Sequence, residues 1–251
     1  MSDLVARLRA AGCVFAEDEA RLLAEAAAGT ELDALVRRRV AGEPLEHVLG
    51  WAAFDGARVR VAPGVFVPRR RTEALVHAAV AGLGPGAVVV DLCCGCGAVG
   101  AAIARRVPVE LYAADVDPVA TACAATNLDG LGTVHTGDLF AALPATLRGR
   151  VAVLVANTPY VPAGAIAGMP PEARDHEPRV ALDGGGDGLD PARRIAAGAP
   201  GWLAPGGTLL IETSAAQAPL LADVFAGHGL EAGTGHDDDR DATWVSGRLP
   251  S

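Results

Sequence analysis

Apolar residues in the first forty positions recur at intervals of three and four, the spacing of a helix with one buried face. The pattern predicts three short helices, Asp3 to Ala11, Ala16 to Ala28 and Thr30 to Ala41. Thr30 is the expected N-cap of the third, with Asp33 three residues on, and Gly42 its stop. Helices this short are marginal alone, so they are expected to pack as a small bundle. The pattern then changes to strand character at Ala53 to Val61, where Phe54, Val59 and Val61 stand among polar residues. The turn Ala62-Pro63-Gly64 and the run Val65 to Pro68 complete what reads as a β-hairpin linker.

From about Thr72 the chain alternates short apolar runs with helical stretches. Strands are expected at Val88 to Leu92, Glu110 to Ala114, Thr133 to Thr136, Val151 to Ala156 and Thr208 to Thr213. Helices are expected at Ala98 to Arg106 and Pro118 to Leu128, and another starts near Leu189 or Asp190 after the glycine turn Gly184 to Gly186. Apolar strands separated by helices predict an α/β fold whose parallel sheet is covered on both faces. The expected organisation is therefore a helical segment over 1–50, a hairpin linker over 51–71 and a main domain over 72–251.

Composition adds limits. A chain of 251 residues with 51% hydrophobic positions can fill one large core and a small one, yet no apolar run approaches the roughly 18 residues that span a bilayer. The charged, amphipathic N-terminus does not read as a signal peptide, and the five cysteines form no disulfide framework, which together suit a reducing cytoplasm. All 21 cationic residues are arginine, and the formal charge is −9. An acidic balance argues against a polyanionic partner, because phosphate binding rests on basic surface and counterion release.

Candidate chemistry begins at Asp91-Leu92-Cys93-Cys94-Gly95-Cys96-Gly97, where a strand passes into a helix. Gly95 and Gly97 let backbone approach a ligand closely, and in an open parallel sheet ligands sit at the carboxyl ends of the strands. Asp115 ends the next strand, 24 residues after Asp91, where a carboxylate can accept both hydroxyls of a ribose; a dinucleotide would suit the same spacing. Asp117 before Pro118 reads as a helix cap. Gly137-Asp138-Leu139-Phe140 follows the third strand and offers either another cap or contacts to an adenine edge. Cys93 and Cys96 have CxxC spacing, but no second pair or histidine completes a zinc site, and no metal is expected. The acidic run Asp237 to Asp241 lacks the spacing of a calcium loop and reads as an exposed turn. His176 stands in a charged run with Arg174, Asp175, Glu177 and Arg179 that reads as structural ion pairing; Trp202 reads as core, and Glu212 as either site-facing or surface.

The most informative residues are Asn157-Thr158-Pro159-Tyr160, directly after an apolar strand. An amide nitrogen is a poor nucleophile because its lone pair is delocalised into the carbonyl. A side-chain oxygen, a backbone carbonyl and an aromatic ring can accept its N–H groups and pack against its plane. Asn157, the Thr158 carbonyl and Tyr160 supply those three functions, and in-line placement supplies much of the remaining rate.

These four residues resemble the (N/D)PPY motif of amino-methyltransferases. With Pro162, Pro170-Pro171-Glu172, Arg174 to Pro178, Ala181 to Gly185 and Asp187 to Leu189 downstream, and Gly42 to Leu45, Pro63 to Val65, Pro68-Arg69 and Thr72-Glu73 upstream, the chain resembles the protein N5-glutamine methyltransferases of peptide chain release factors. The likeness spans roughly Arg39 to Glu212. It implies a seven-stranded Rossmann-like class I methyltransferase domain using S-adenosyl-L-methionine and releasing S-adenosyl-L-homocysteine. By resemblance, Asp91, Cys93, Gly95, Gly97, Asp115, Val116, Asp138, Leu139 and Asn157 would hold the cofactor. Asn157, Thr158, Pro159 and Tyr160 would hold the glutamine, with Asn157, Pro159 and Tyr160 catalytic. The helical bundle would dock the release factor, and a monomer without nucleic-acid or membrane contacts is expected. The chain departs from the family pattern at Thr158, which replaces a proline, at Cys93, which replaces a glycine, and at Arg70-Arg71, which replace Pro-Glu. A small-molecule N-methyltransferase and an adenine N6-methyltransferase stay open as alternatives.

Overall fold

A computed structural model describes residues 1–251. Four helices open the chain: α1 (Ser2–Ala10), α2 (Ala16–Ala26), α3 (Gly29–Val40) and the single turn and a half of α4 (Leu45–Leu49). Leu4, Leu8, Leu23, Val36 and Val48 are among the eight buried residues of their own small core. Helix α3 starts one residue earlier than expected, with Ala28 as its N-cap and Thr30 already inside; no side chain caps it. Gly42 follows its end at φ +98°, a conformation glycine adopts without strain.

The hairpin is real but placed differently from the expectation. Its strands are β1 (Trp51–Phe54) and β2 (Ala57–Arg60), paired antiparallel with Phe54 opposite Ala57. The turn is Asp55-Gly56, at φ +48° and +74°. Both positive values define a type I′ turn, whose twist matches that of the strands it joins. Val65 to Pro68 forms no strand: Val65 N–H closes a turn onto the Ala62 carbonyl at 3.1 Å, and prolines 63 and 68 offer no ladder donors.

The main sheet has seven strands: β3 (Val88–Leu92), β4 (Glu110–Asp115), β5 (Gly132–Thr136), β6 (Val151–Ala156), β7 (Leu203–Thr213), β8 (Glu231–Asp237) and β9 (Ala242–Arg248). Their spatial order is β5-β4-β3-β6-β7-β9-β8, parallel from β5 to β7 and antiparallel at β9 and β8. Helix α5 (Glu73–Val80) precedes β3, and between the strands run α6 (Ala98–Arg106), α7 (Pro118–Asn127), α8 (Pro171–His176), α9 (Asp190–Gly198) and α10 (Ala218–Gly227). Within β3, Val89 points into the layer of α5, α6 and α7, while Val88, Val90 and Leu92 point into the layer of α9 and α10. Burial on both faces is why this strand reads as an unbroken apolar run. Phe54, Val59, Val61, Val65 and Val67 join the first layer, so the hairpin is packed into the same core as the sheet. Trp202 is buried in the second layer, stacked on Phe140 with centroids 5.4 Å apart. Asp238 to Asp241 is the turn between β8 and β9. No helix is long and apolar enough to cross a membrane.

A buried ion pair inside the bundle reaches, through its arginine, a half-exposed glutamate in the segment that follows β6. Arg39 donates to Glu19 through Nε at 2.6 Å and Nη2 at 3.1 Å, and its Nη1 lies 3.0 Å from Glu172 of α8. Removing one member of a buried pair leaves the other charge uncompensated, which is costlier than never burying either. Arg39→Met is therefore expected to lower stability by about 3 kcal/mol in urea denaturation; a loss below about 1 kcal/mol would mean that water reaches Glu19 freely.

Candidate active site

The parallel strands end together, and the register of β3 on β6 sets Leu92 opposite Ala156. The loop after β3 and the motif loop after β6 consequently begin side by side, at the point where the strand order reverses. Ligands of open α/β sheets bind at this switch point. A cavity of about 600 Å³ opens there. Asp91, Cys93, Gly95, Asp115, Val116, Asp138, Leu139 and Asn157 to Tyr160 all line it.

In the glycine-rich loop, Cys93, Gly95 and Gly97 have φ of +55°, +53° and +77°. A β-carbon added at Gly95 would meet nothing within 4 Å, so the backbone there is open to a ligand. Gly97 lies outside the cavity lining and has a different constraint. Its added Cβ would come within 3.1 Å of Leu128 and 3.2 Å of Ala124, so its bareness lets α6 and α7 close. Cys93 holds a left-handed backbone despite its side chain, at a cost of about 1 kcal/mol. Burial pushes the thiols of Cys93, Cys94 and Cys96 well above their ordinary range, which disfavours the reactive thiolate at neutral pH.

Asp115 sits at the end of β4 facing that loop. Its carboxylate accepts Gly95 N–H at 2.9 Å and Asp117 N–H at 3.0 Å, while burial raises its pKa. Asp117 caps α7 by accepting Val119 N–H at 2.8 Å, as its sequence context indicated. Asp138 makes no cap; Arg194 of α9 holds it at 2.6 and 3.1 Å and keeps its carboxyl below the usual range. Asp91 is 1% exposed and accepts the Gly100 N–H at 2.8 Å, which ties the start of α6 to β3.

The motif loop is held by residues from distant parts of the chain. Asn157 Nδ2 donates to Thr72 Oγ1 at 3.2 Å, which leaves its side-chain oxygen for a ligand. Thr158 is buried, and its carbonyl accepts no intramolecular hydrogen bond. The Tyr160 hydroxyl accepts from Arg71 Nη2 and donates to Glu212 Oε1 at 3.4 Å. Burial, then the negative charge of Glu212, pushes the phenol up to about 12, so it stays protonated at neutral pH. Gln217 Nε2 donates to the Tyr160 carbonyl at 3.0 Å and the Asp187 carbonyl at 2.9 Å. Gly188 passes under that contact at φ +84°; a Cβ there would stand 2.3 Å from the Tyr160 carbonyl. In the charged run, Glu177 is buried and accepts Val67 N–H at 3.2 Å and Arg69 Nη2 at 2.6 Å, while Arg174 pairs with exposed Asp175.

Thr72, Glu177, Arg194 and Gln217 were not singled out as site residues from the sequence, and Arg71 stood out only as a departure from the family pattern beside Thr72. Thr72 and Glu177 stood in recognisable segments; Gln217 carries no local signal beyond its place before α10.

The residues present fit a nucleoside cofactor: an open glycine cradle at Gly95, a carboxylate at Asp115 for ribose hydroxyls, and the apolar side chains of Val116 and Leu139 beside Asp138. Residues 57–168 match the methyltransferase small domain family. A methyltransferase from Pyrococcus furiosus shares the fold, with a TM-score of 0.57 at 13% identity over 78% of this chain and 90% of that one. The chain is a class I methyltransferase that uses S-adenosyl-L-methionine. A release factor glutamine methyltransferase from Geobacter sulfurreducens is 36% identical over 220 residues, 86% of this chain and 76% of its own length. A 4-amino-L-phenylalanine/4-methylamino-L-phenylalanine methyltransferase from Streptomyces pristinaespiralis is 38% identical over 203 residues, 77% of this chain and 69% of its own. The chain belongs to the release factor glutamine methyltransferase family.

Asp91 gives a test of the electrostatics. Burial raises its carboxyl to about 7, with the Gly100 N–H opposing and the Asp115 charge adding to the rise. The unfolded chain releases that proton near pH 4. Between about pH 4 and 7 the folded state holds a proton that the unfolded state has lost, so stability falls as pH rises through this window. Asp91→Asn keeps an oxygen for Gly100 N–H and removes the titration. Its stability relative to wild type, from denaturant melts without cofactor, is expected to improve by on the order of 2 kcal/mol between pH 5 and 8. A difference that stays constant with pH would mean Asp91 ionises normally.

Proposed function

We propose that the enzyme methylates the side-chain amide nitrogen of a glutamine, the Gly-Gly-Gln glutamine of a peptide chain release factor. The observation that carries this reading is the paired grip on the motif loop: Thr72 orients Asn157, while Arg71 and Gln217 hold Tyr160, at the mouth of the cofactor cradle. When bound, S-adenosyl-L-methionine supplies a methyl group activated by its positive sulfur. The chain's own residues then have a limited task. The Asn157 side-chain oxygen and the Thr158 carbonyl accept the two N–H bonds of the amide, turning its lone pair toward the cofactor side. The Tyr160 ring packs on the amide plane. The methylated nitrogen is strongly acidic and gives its proton to solvent, so no side chain of high pKa is needed. Orientation of this kind is worth several powers of ten in rate.

The acceptor end is electrically balanced. Arg69 is paired with Glu177, Arg71 with Glu212 and Arg179 with Asp183, so each of these cavity-lining cations already has a carboxylate. That suits a neutral amide better than a phosphate backbone, which rewards unpaired arginines. The helical bundle, with Phe15 and Val14 exposed at the α1–α2 turn, is the surface we assign to docking the release factor, in the cytoplasm and as a monomer.

The test is incubation with S-adenosyl-L-methionine and the release factor of the same source, followed by peptide mass spectrometry. One added methyl on the Gly-Gly-Gln glutamine is expected, with a rate at least ~100-fold lower in Asn157→Ala. An unmodified release factor, with cofactor binding seen by calorimetry, would sink the assignment. Methylation of 4-amino-L-phenylalanine instead would move the acceptor to a small arylamine.

A further inference from the structure

Glu212, the penultimate residue of β7, lies directly behind the motif loop and does not line the cavity. It is 3% exposed, and its Oε2 has no hydrogen-bond partner. Its Oε1 serves two donors, Arg71 Nε at 3.3 Å and the Tyr160 hydroxyl at 3.4 Å. Arg71 also donates to that same hydroxyl through Nη2, and its guanidinium carbon lies 5.7 Å from the Tyr160 ring centroid. Three polar groups from a linker turn, a loop and a strand end thus close one ring of contacts. Burying a carboxylate with one oxygen unsatisfied is costly, and an apolar side chain of similar volume would fill the place more cheaply. The cluster makes physical sense through what it holds. Its neighbour in the same turn, Thr72, holds Asn157.

We propose that Glu212 and Arg71 are positioning residues for methyl transfer, which by gripping the Tyr160 hydroxyl fix the direction of its ring axis against the acceptor's planar nitrogen group. The inference rests on the reading that Asn157 and Tyr160 hold that group. A tyrosine at the mouth of a cavity has other staggered side-chain positions available. A guanidinium contact and a longer carboxyl contact at its far end restrict them before the acceptor arrives, so the ordering is not left to the moment of reaction. Arg71 also lines the cavity and Glu212 also meets the Thr72 side chain, yet their effect on the reaction is expected to run through Tyr160.

Two measurements decide this. The first is a double-mutant cycle with Arg71→Met, Tyr160→Phe and their combination, assayed on the release factor. Arg71→Met is expected to lower kcat about tenfold in the wild-type background, with KM for S-adenosyl-L-methionine unchanged, and to have almost no effect once the hydroxyl is gone. Glu212→Gln is expected to behave in the same way; should it fold poorly, the Arg71 cycle stands alone, because that side chain is half exposed. Additive losses, or no loss of kcat in Arg71→Met, would overturn the proposal. The second is side-chain NMR of carbon-13 tyrosine. The chain has two tyrosines, so Tyr112→Phe assigns the Tyr160 ring signal at once. In Arg71→Met and Glu212→Gln that signal should move toward the averaged value of free tyrosine while Tyr112 stays put. An unmoved Tyr160 signal refutes the grip. This readout needs no acceptor, so failure to methylate a release factor would remove the glutamine assignment and still leave the positioning claim decided.

Discussion

The pairing of β3 with β6 is the contact on which everything else hangs. These strands are separated by the whole of α6, β4, α7 and β5, yet their register places Leu92 beside Ala156. Both strands are apolar on both faces, so a slip by one residue would exchange the sets buried under α5 to α7 and under α9 and α10. The register therefore follows from packing, and the site follows from the register. The glycine cradle grows from the end of one strand and the motif from the end of its neighbour.

What the sequence made legible divides along the same line. Val88–Leu92, Ala98–Arg106 and Val151–Ala156 match expectation at both ends, because each is an apolar or periodic run bounded by glycine, proline or a change of polarity. The hairpin turn was missed because Val59, Val61, Val65 and Val67 continue an alternating pattern past Arg60. The Asp55-Gly56 pair was the better guide. Thr30 looked like a cap, but the chain between α2 and α3 is short enough that the helix restarts at Gly29. The place of the motif residues was readable because it is local: they follow directly on the end of an apolar strand and line the cavity there. Their supports were only partly so: Glu212 stood between a site-facing and a surface reading, Arg71 showed only as a departure from the family pattern, and Gln217 gave no signal. Arg71, Glu212 and Gln217 matter only because folding brings three remote segments onto one tyrosine, and no spacing along the chain records that meeting.

An acidic chain also keeps its site acids in unusual states. Burial pushes Asp91, Asp115, Glu177 and Glu212 all in the same direction, toward the neutral form. Exposed carboxylates paired with arginine, such as Asp138 and Asp187, move the opposite way. The cationic partners are guanidinium throughout, since the chain has no lysine, and a guanidinium can serve two acceptors from one fixed plane. Arg71 uses that property, spanning a phenol and a carboxylate at once.

Gln217 links what would otherwise be separate loops. Its amide nitrogen bridges the carbonyls of Tyr160 and Asp187, and its oxygen accepts Ser214 Oγ at 2.7 Å. One side chain thereby ties the segment after β6, the glycine-rich segment before α9 and the start of α10. Loops of this kind usually fray independently, each with its own small opening free energy. Here none can swing out without giving up a hydrogen bond to Gln217, so the three share one tether. Amide protons across all three segments should then report one shared opening free energy in native-state hydrogen exchange.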